Sequence, residues 1–195
     1  YAEQAQKHTE ILHDIQFLKW HHDVGFMVYD SYGNGLRLKN IEGYDTVLVN
    51  TAKSLATRFR PNAGIIQSWN VDRGWQSERG WKCPVIIDNM MNLELFTWAA
   101  KKFNNPEWER MALSHATTTM KNHFREDHTS YHVLDYDLTT GEVLRKKTAQ
   151  GYADESEWSR GQSWGLYGYT MMYRETGREE YLAQAVNIAD YLLTR

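Results

Sequence analysis

The 195-residue chain has a single cysteine, only three prolines and no long apolar run. Because Cys83 has no second cysteine to pair with, the chain cannot form an internal disulfide and shows no signature of an oxidising compartment. No stretch of about 18 apolar residues could span a bilayer, and no charged and then apolar leader opens the sequence. These absences leave the compartment open between the cytoplasm and the periplasm of a bacterium.

The chain also lacks a large excess of positive or negative residues. The formal net charge is -3 and no basic block stands out, so we expect neither nucleic acid nor a membrane surface as a partner. What the chain does have is 42% hydrophobic residues, with 8 Trp and 12 Tyr, which is enough to bury the core of one globular unit. A small molecule is therefore the expected partner, while the oligomeric state stays open.

Helical periodicity covers most of the chain. Short breaks, such as the one before Pro106 and the one at Gly177, separate segments that should pair as antiparallel hairpins. Gly33-Asn34-Gly35 lacks the strand of a dinucleotide loop and indicates a helix kink or turn. The predicted helices are 3–19, 24–38, 44–59, 88–104, 107–125, 158–176 and 179–194.

The predicted helices are of two kinds. The stretches VIIDNMMNLELFTWAA and WSRGQSWGLYGYTMMY are apolar or aromatic nearly all round, which is typical of inner helices buried on both sides. The last helix has one apolar face, typical of an outer helix. Inner and outer helices that alternate in antiparallel hairpins build either a ring or a simple helical array. The residues of the predicted buried face of the last helix are Leu182, Ala185, Val186, Ile188, Ala189, Leu192 and Leu193.

Two stretches are not helical. Residues 60–87 space Trp69, Trp75 and Trp81 six apart among Gly, Asn and Asp, which favours short strands and turns. The stretch YHVLDYDLTTGEVLRKKTAQGYADES predicts a hairpin with its turn near Thr140-Gly141, followed by a loop. Long loops in compact domains are usually functional, and both stretches precede an inner helix.

Charged groups at the starts of the inner helices should converge at one end of the bundle, where a pocket for a polar ligand would form. These are Asp23, Asp88 and Arg160. Asp88 fits a helix N-cap and also an acid whose pKa is raised by its apolar surroundings and by a second carboxylate, and the two roles are compatible. Asp23 follows His21 and His22, which fits a hydrogen-bonded buried pair as well as a catalytic one.

The remaining candidates concern sugar and metal binding. Trp158, Arg160, Gln162 and Trp164 could stack on a sugar ring and hold a carboxylate, or they could form a tryptophan-rich core with a surface arginine. His132 alone would fit a surface hairpin position. Because no Glu or Cys completes a known ligand spacing around the histidines at 123, 128 and 132, we expect no metal and no cofactor.

The blocks HHDVGF, DNMMNLELF, TAQGYADES and WSRGQSWGLYGY together resemble the unsaturated glucuronyl hydrolases, glycoside hydrolase family 88. The resemblance runs across nearly the whole chain. It implies an all-α fold that is part of an (α/α)6 barrel of antiparallel hairpins, with a short β-hairpin insertion. Family members are much longer, so we expect residues 1–195 to be a single catalytic domain that is incomplete at both ends.

The same resemblance implies roles for single residues. Asp88 matches the general acid and base, and Asp23 matches the second active-site aspartate. The implied substrate is a 4,5-unsaturated glucuronyl residue on a lyase-generated glycosaminoglycan-type oligosaccharide, cleaved by hydration of its vinyl ether. The positions that match the pocket lining are His22, His132, Gln150, Trp158, Arg160 and Trp164.

Three other interpretations remain open from the sequence. An unsaturated rhamnogalacturonyl hydrolase would share the fold and mechanism but act on pectin fragments. A non-catalytic sugar-binding helical domain would use the tryptophans and the arginine for affinity alone. A sugar epimerase on a similar ring would need two acid-base groups across one carbon.

Overall fold

The computed structural model describes residues 1–194, and most of these are helical. Three short 3-10 turns lie at His13–Phe17, Ser77–Arg79 and Ile87–Asn92, and a π turn lies at Tyr29–Gly33. The α-helices are α1 (Ala2–Glu10), α2 (Val24–Val28), α3 (Asn34–Lys39), α4 (Tyr44–Ala56), α5 (Leu93–Phe103), α6 (Pro106–Asn122), α7 (Ser159–Thr176) and α8 (Glu179–Leu193).

Five short strands lie between the helices: β1 (Phe59–Arg60), β2 (Ile65–Ile66), β3 (Pro84–Ile86), β4 (Val133–Tyr136) and β5 (Val143–Lys147). β1 and β2 form a small hairpin, and β3, β4 and β5 form an antiparallel sheet in that order. Ile86 faces Val133, which in turn faces Lys147. The predicted turn at Thr140-Gly141 is confirmed, and Gly141 adopts the left-handed φ of 77° that its close approach to Asn62 requires.

Helical hairpins are the main packing unit. α5 packs on α6 and α7 packs on α8. Asn104, with a φ of 49°, ends α5, and the side chain of Asn105 accepts a hydrogen bond from Glu107 N at 3.0 Å to cap α6. Gly177, with a φ of 67°, ends α7. Because only two residues link the helices of each pair, these helices must run antiparallel.

The main core lies between α2, α4, α5, α6, α7 and α8. Leu48, Phe96, Met90, Tyr169 and Ile188 are among its fully buried side chains. Burial of such side chains from both members of each hairpin stabilises the bundle, at about 1.5–3 kcal/mol for each large apolar group. A smaller apolar cluster lies under the sheet. The bundle therefore provides a rigid base for the loops that enter it.

Several helix predictions need correction. The segment predicted as one helix over 3–19 leaves α geometry after Glu10, and the segment over 24–38 is interrupted by the π turn, next to the glycines where a kink was expected. The helix predicted to start at residue 88 begins its α geometry only at Leu93. Irregular turns thus replace the first turn of one inner helix.

The predicted inner and outer faces are only half right. On α8, Ala185 and Ile188 are buried, but Val186, Leu192 and Leu193 are exposed. α7 exposes Tyr167, so it is not buried on both sides among the residues that the structure describes. None of the described helices is long and apolar enough to cross a bilayer.

Candidate active site

Four runs of backbone lie side by side and carry the candidate residues. His22 N donates to Ser68 O at 3.1 Å, Ser68 N donates to Pro84 O at 2.9 Å, and Ile87 N donates to His132 O at 3.1 Å. Residues separated by up to 110 positions therefore meet at one end of the bundle. The start of α7 closes the group, because Trp158 lies 4.2 Å from His132 between ring centroids.

Asp88 lies inside the 3-10 turn, directly after β3. Its side chain caps neither this turn nor α5, so the N-cap interpretation is wrong. The carboxylate is 13% exposed, and its Oδ1 is buried without a hydrogen-bond partner among residues 1–194. Burial raises its pKa above the ordinary value; Asp23 adds to the rise, while His22 and Arg160 oppose it. Asp88 can therefore hold a proton at a higher pH than an exposed aspartate.

His132 faces Asp88, with Nε2 3.9 Å from Asp88 Oδ1. Its Nδ1 accepts backbone hydrogen bonds from Ala149 N at 3.0 Å and Gln150 N at 3.2 Å, so the neutral ring carries its proton on Nε2. Burial and neighbouring positive groups lower its pKa to about 3, which keeps the ring neutral. His132 is thus buried, not a surface hairpin residue, and it points an N–H toward the acid.

Asp23 and His22 form a close pair in front of α2. His22 Nε2 lies 2.9 Å from Asp23 Oδ1 in the geometry of an ion pair and not of a well-aligned hydrogen bond, and His21 Nδ1 lies 3.8 Å from Oδ2. Burial raises the pKa of Asp23, but the contact with His22 and the charges of His22, His21 and Arg58 outweigh it, so the net pKa is lowered. Asp23 therefore stays ionised while Asp88 favours its proton.

Two asparagines of the DNMMN block hold His22. Asn92 Nδ2 lies 3.2 Å from His22 Nδ1 and donates to Asn89 Oδ1 at 2.8 Å. Asn89 Nδ2 donates to Ser68 Oγ at 2.9 Å and to Ile66 O at 2.7 Å. Sequence reasoning missed both residues, although polar side chains inside an otherwise apolar inner helix were a usable signal.

Arg160, Gln150 and Trp158 form a second group beside Asp88. The guanidinium of Arg160 donates to Gln150 Oε1 and lies 4.5 Å above the Trp158 ring. Arg160 is exposed, so it remains free to hold an anionic ligand while the stacking limits its rotamers. The structure thus places an exposed cation next to an aromatic face and an acid.

Gln162, from the same sequence block, does not join this group. Gln162 is fully buried, accepts from Ser130 N at 2.6 Å and donates to His128 O at 3.2 Å, which fixes the loop before β4. Trp164 is half-buried on α7 and takes no part in the ring contacts recorded within residues 1–194. The alternation seen in the sequence therefore does not put all four side chains on one face.

The other side of Asp23 opens into a cleft of about 400 Å³. Trp69 forms one wall and stacks on Trp81 at 5.6 Å between ring centroids, with Trp75 edge-on at 5.0 Å from Trp69. Sequence reasoning noted these tryptophans but did not place them at the site. The cleft is also lined by Trp20, His21, Asn70, Arg73 and Gln76.

A larger cleft of about 770 Å³ lies between α3, α5 and α7 and contains none of the candidate residues. Several of its polar groups are paired with one another; Arg174 Nη2, for example, lies 2.6 Å from Glu94 Oε1. Within the described part of the chain, no group of three or more His, Cys, Asp or Glu side chains could hold a metal ion. Asp88 and Asp23 therefore remain the candidate residues for acid-base chemistry.

Comparison with known proteins gives a consistent result, although no protein-family model matches. An unsaturated glucuronyl hydrolase of Formosa agariphila is 42% identical over 186 residues, covering 95% of this chain and 45% of that protein. The counterpart from Bacillus sp. strain GL1 is 35% identical over 175 residues, covering 90% of this chain and 45% of that protein.

Solved structures agree. The crystal structure of an unsaturated glucuronyl hydrolase specific for heparin is 47% identical and has a TM-score of 0.93 over 100% of this chain and 50% of that chain. The Bacillus sp. GL1 enzyme has a TM-score of 0.83 at 31% identity, over 100% of this chain and 49% of that one. The chain thus spans about half the length of these relatives. By sequence and by fold, it belongs to the unsaturated glucuronyl hydrolase family, and its helical hairpins are part of an α/α barrel.

Proposed function

We propose that the full-length gene product containing this chain is a glycoside hydrolase that removes 4,5-unsaturated glucuronic acid from the non-reducing end of lyase-generated glycosaminoglycan-type oligosaccharides. Support comes from the relatives, one of which is named for its specificity for heparin. Another related structure, 31% identical, carries the oligosaccharide dGlcA-Glc-Rha-Glc. No cofactor takes part in the proposed reaction.

The observation that carries the proposal is the opposite shift of two neighbouring carboxylates. Burial, and to a smaller degree the charge of Asp23, raise the pKa of Asp88, whereas the contact with His22 and nearby positive charges lower the pKa of Asp23 against its own burial. Such a separation assigns an acid and a permanent anion. Asp88 Oδ1 and His132 Nε2 are both buried, lie 3.9 Å apart and have no hydrogen-bond partner within residues 1–194.

The chemistry follows from the substrate's vinyl ether. Protonated Asp88 donates its proton to C4, and the C4–C5 π electrons form the new C–H bond, which leaves an oxocarbenium cation at C5 and O5. The Asp88 carboxylate then takes a proton from a water molecule as the oxygen of that water bonds to C5. The resulting hemiketal opens by breaking C5–O5, and the hemiacetal left at C1 expels the neighbouring sugar with the glycosidic oxygen.

This route differs from that of ordinary glycosidases, in which two carboxylates act on C1. Here Asp23 does not attack the sugar. Held at 2.9 Å from His22, it places a negative charge near the cation that forms at C5 and keeps the pKa of Asp88 high. The N–H on Nε2 of His132 is the donor available to an oxygen of the substrate.

Substrate orientation can be assigned to the two groups on either side of Asp88. Arg160, steadied by Gln150, is placed to hold the uronate carboxylate, and the ring of Trp158 packs on the sugar face. The leaving sugar then enters the cleft beside Asp23, against Trp69. Trp164, one helical turn after Arg160 on α7, remains a proposed contact to the substrate.

The test is turnover of unsaturated disaccharides by the Asp88→Asn variant of the full-length gene product. Loss of the acid should lower kcat by about 100-fold or more while the far-ultraviolet circular dichroism spectrum stays unchanged. Asp45→Asn, at a half-buried carboxylate in the first turn of α4 and outside the site, is the matched control and should keep full activity. Near-normal turnover by Asp88→Asn would contradict the proposal.

A substrate panel separates the alternatives. Unsaturated products of heparin, chondroitin and pectin lyases are compared by kcat/KM, and a preference for pectin fragments would favour a rhamnogalacturonyl hydrolase. Saturable binding by the wild-type protein without any turnover would favour a sugar-binding domain. An inverted stereocentre on an intact oligosaccharide would indicate an epimerase.

A further inference from the structure

Arg58 lies two residues after α4, and it is the largest fully buried side chain in the described part of the molecule. Its guanidinium donates four hydrogen bonds: Nε to Gln67 O at 2.8 Å, Nη1 to Lys19 O at 2.6 Å, Nη1 to Asn70 Oδ1 at 3.2 Å, and Nη2 to Ser68 O at 3.2 Å. All four acceptors are neutral oxygens. Within residues 1–194, no carboxylate forms an ion pair with Arg58.

A buried cation without a paired anion is costly, so its presence needs a reason. Burial lowers the pKa of Arg58 to about 10, which still leaves the guanidinium charged at neutral pH. Asp23 is the aspartate at the site whose charge favours this cation, and Arg58 in turn favours the ionised form of Asp23. The two groups stabilise each other's charge without touching.

The hydrogen bonds of Arg58 join the two strips of backbone on either side of the Asp23 cleft. The residues just before Asp23 belong to no helix or strand except for an isolated bridge between His21 and Trp69. Arg58 holds Lys19 on this irregular strip and Ser68 on the opposite one, next to Trp69. Without the guanidinium of Arg58, the backbone strips would be held by the His21–Trp69 bridge, in which His22 N donates to Ser68 O at 3.1 Å.

We propose that Arg58 is a positioning residue that fixes Asp23 and Trp69 relative to each other and supplies the positive charge behind Asp23. This inference rests on the proposed function, because that reaction needs an ionised Asp23 beside a protonated Asp88. A purely structural clamp would have the same hydrogen bonds but no effect on how Asp23 titrates.

Several groups act on Asp23 and must be separated from Arg58. His21 and His22 lie on its own segment, and Asp88 faces it from the turn after β3. Substitution of Arg58 keeps His21, His22 and Asp88. A change in the pKa of Asp23 therefore measures the loss of the arginine charge together with any movement of the two histidines. A lysine in its place keeps the charge but cannot bond to Lys19, Gln67 and Ser68 at once.

Arg60 is the matched control. It is two residues further along the chain and donates to Gln67 Oε1 at 2.9 Å, Thr57 O at 3.1 Å and Phe59 O. Its bonds fasten the β1–β2 region, and it reaches the strip beside Trp69 only indirectly, through the Gln67 side chain, whose Nε2 donates to Trp69 O at 2.8 Å. Arg60→Gln removes a similar number of hydrogen bonds and one charge, but none of the contacts that the proposal invokes.

The experiment is a carboxyl carbon NMR titration of Asp23 in the full-length gene product, with Arg58→Gln, Arg58→Lys and Arg60→Gln. We expect the pKa of Asp23 to rise in Arg58→Gln and to stay near the wild-type value in Arg58→Lys and Arg60→Gln. An unmoved Asp23 titration in folded Arg58→Gln would overturn the proposal. Because this readout needs no turnover, it stands even if the proposed function fails.

Kinetic measurements test the first part of the proposal, that Arg58 fixes Asp23 and Trp69 relative to each other. Arg58→Lys should lose about 10- to 100-fold in kcat/KM, because small misplacements of reacting groups have large effects on rate, while Arg60→Gln should stay within about twofold. If Arg58→Gln does not fold, Arg58→Lys decides: wild-type kcat/KM in that variant contradicts the proposal, and a loss at an unchanged Asp23 titration supports it.

Discussion

The Gly25→Ala substitution tests whether the polar network behind the site is as tightly packed as its contacts indicate. A Cβ at residue 25 on α2 would lie 2.1 Å from Asn92 Oδ1 and 3.0 Å from Leu55 Cδ2. Asn92 cannot simply rotate away, because Oδ1 accepts from Phe26 N at 3.0 Å and Nδ2 contacts His22. The methyl group must therefore displace the asparagine or separate α2 from the turn after β3.

The size of the effect can be worked out from these contacts. Overpacking costs about 1–3 kcal/mol, and loss of the hydrogen bond to Phe26 N adds about 1 kcal/mol. Replacing a helical glycine by alanine returns about 1 kcal/mol. We therefore expect the free energy of unfolding to fall by about 1–3 kcal/mol. Because Asn92 also holds His22, kcat/KM should fall by about tenfold or more.

Urea unfolding, followed by tryptophan fluorescence and by circular dichroism, measures the change in stability. Gly165→Ala on α7 is the control, since its Cβ would lie 3.2 Å from Phe124 Cζ, at the edge of a ring that can shift slightly. It should be within about 1 kcal/mol of wild type. A Gly25→Ala protein as stable as wild type, or a Gly165→Ala protein equally destabilised, would refute the reasoning.

Four further predictions concern single side chains. Burial and the negative charge of Asp23 both raise the pKa of Asp88, so Asp23→Asn should move the basic limb of the kcat profile to lower pH. An unmoved limb would show that Asp23 does not raise the pKa of Asp88. Arg160→Lys keeps the charge but loses the planar fork, so KM should rise by about tenfold, and an unchanged KM would argue against a carboxylate clamp. His132 has a folded pKa of about 3 and an unfolded value near 6.5, so the unfolded chain binds its proton first and stability falls as pH drops from 6.5 toward 3, by up to about 1.4 kcal/mol per pH unit. His132→Gln should flatten that slope in denaturant titrations, and an unaltered slope would mean that the ring is not held neutral. Arg73→Gln, on the cleft lining, should raise KM about fivefold for disaccharides sulfated on the leaving sugar and leave unsulfated ones within about twofold, whereas an equal change for both would remove the cleft as the leaving-sugar site.

Much of the fold and the centre of the site could be predicted from the sequence, because the signals are local. The hairpin turn at Thr140-Gly141 and the break at Gly177 need a left-handed backbone conformation that few residue types other than glycine tolerate. Asp88 sits between Ile87 and an apolar helix, and this neighbourhood alone indicates a raised pKa. Burial raises the pKa of a carboxyl group, and this direction can be predicted without knowing the tertiary contacts.

The missed features depend on partners far away in the chain. Arg58 looks like an ordinary cation at a helix end, and only the fold brings Lys19 and Ser68 to its guanidinium. The N-cap interpretation of Asp88 failed because a 3-10 turn precedes α5, which hydrophobic periodicity does not reveal. Gln162 was grouped with Trp158 and Arg160 by spacing, but it is buried and bonds to Ser130 N and His128 O, which only the fold brings to α7.

Hydration of the vinyl ether is the central claim, and the reaction in D2O tests it most directly. The full-length gene product is incubated with an unsaturated disaccharide, and the uronate product is analysed by NMR at early times, before slow exchange next to the new ketone. If Asp88 delivers a solvent-derived proton to C4, the product carries one deuterium at C4 on a single face, and the conjugated double bond is lost. Release of a uronate that keeps its double bond and carries no deuterium at C4 would contradict the account.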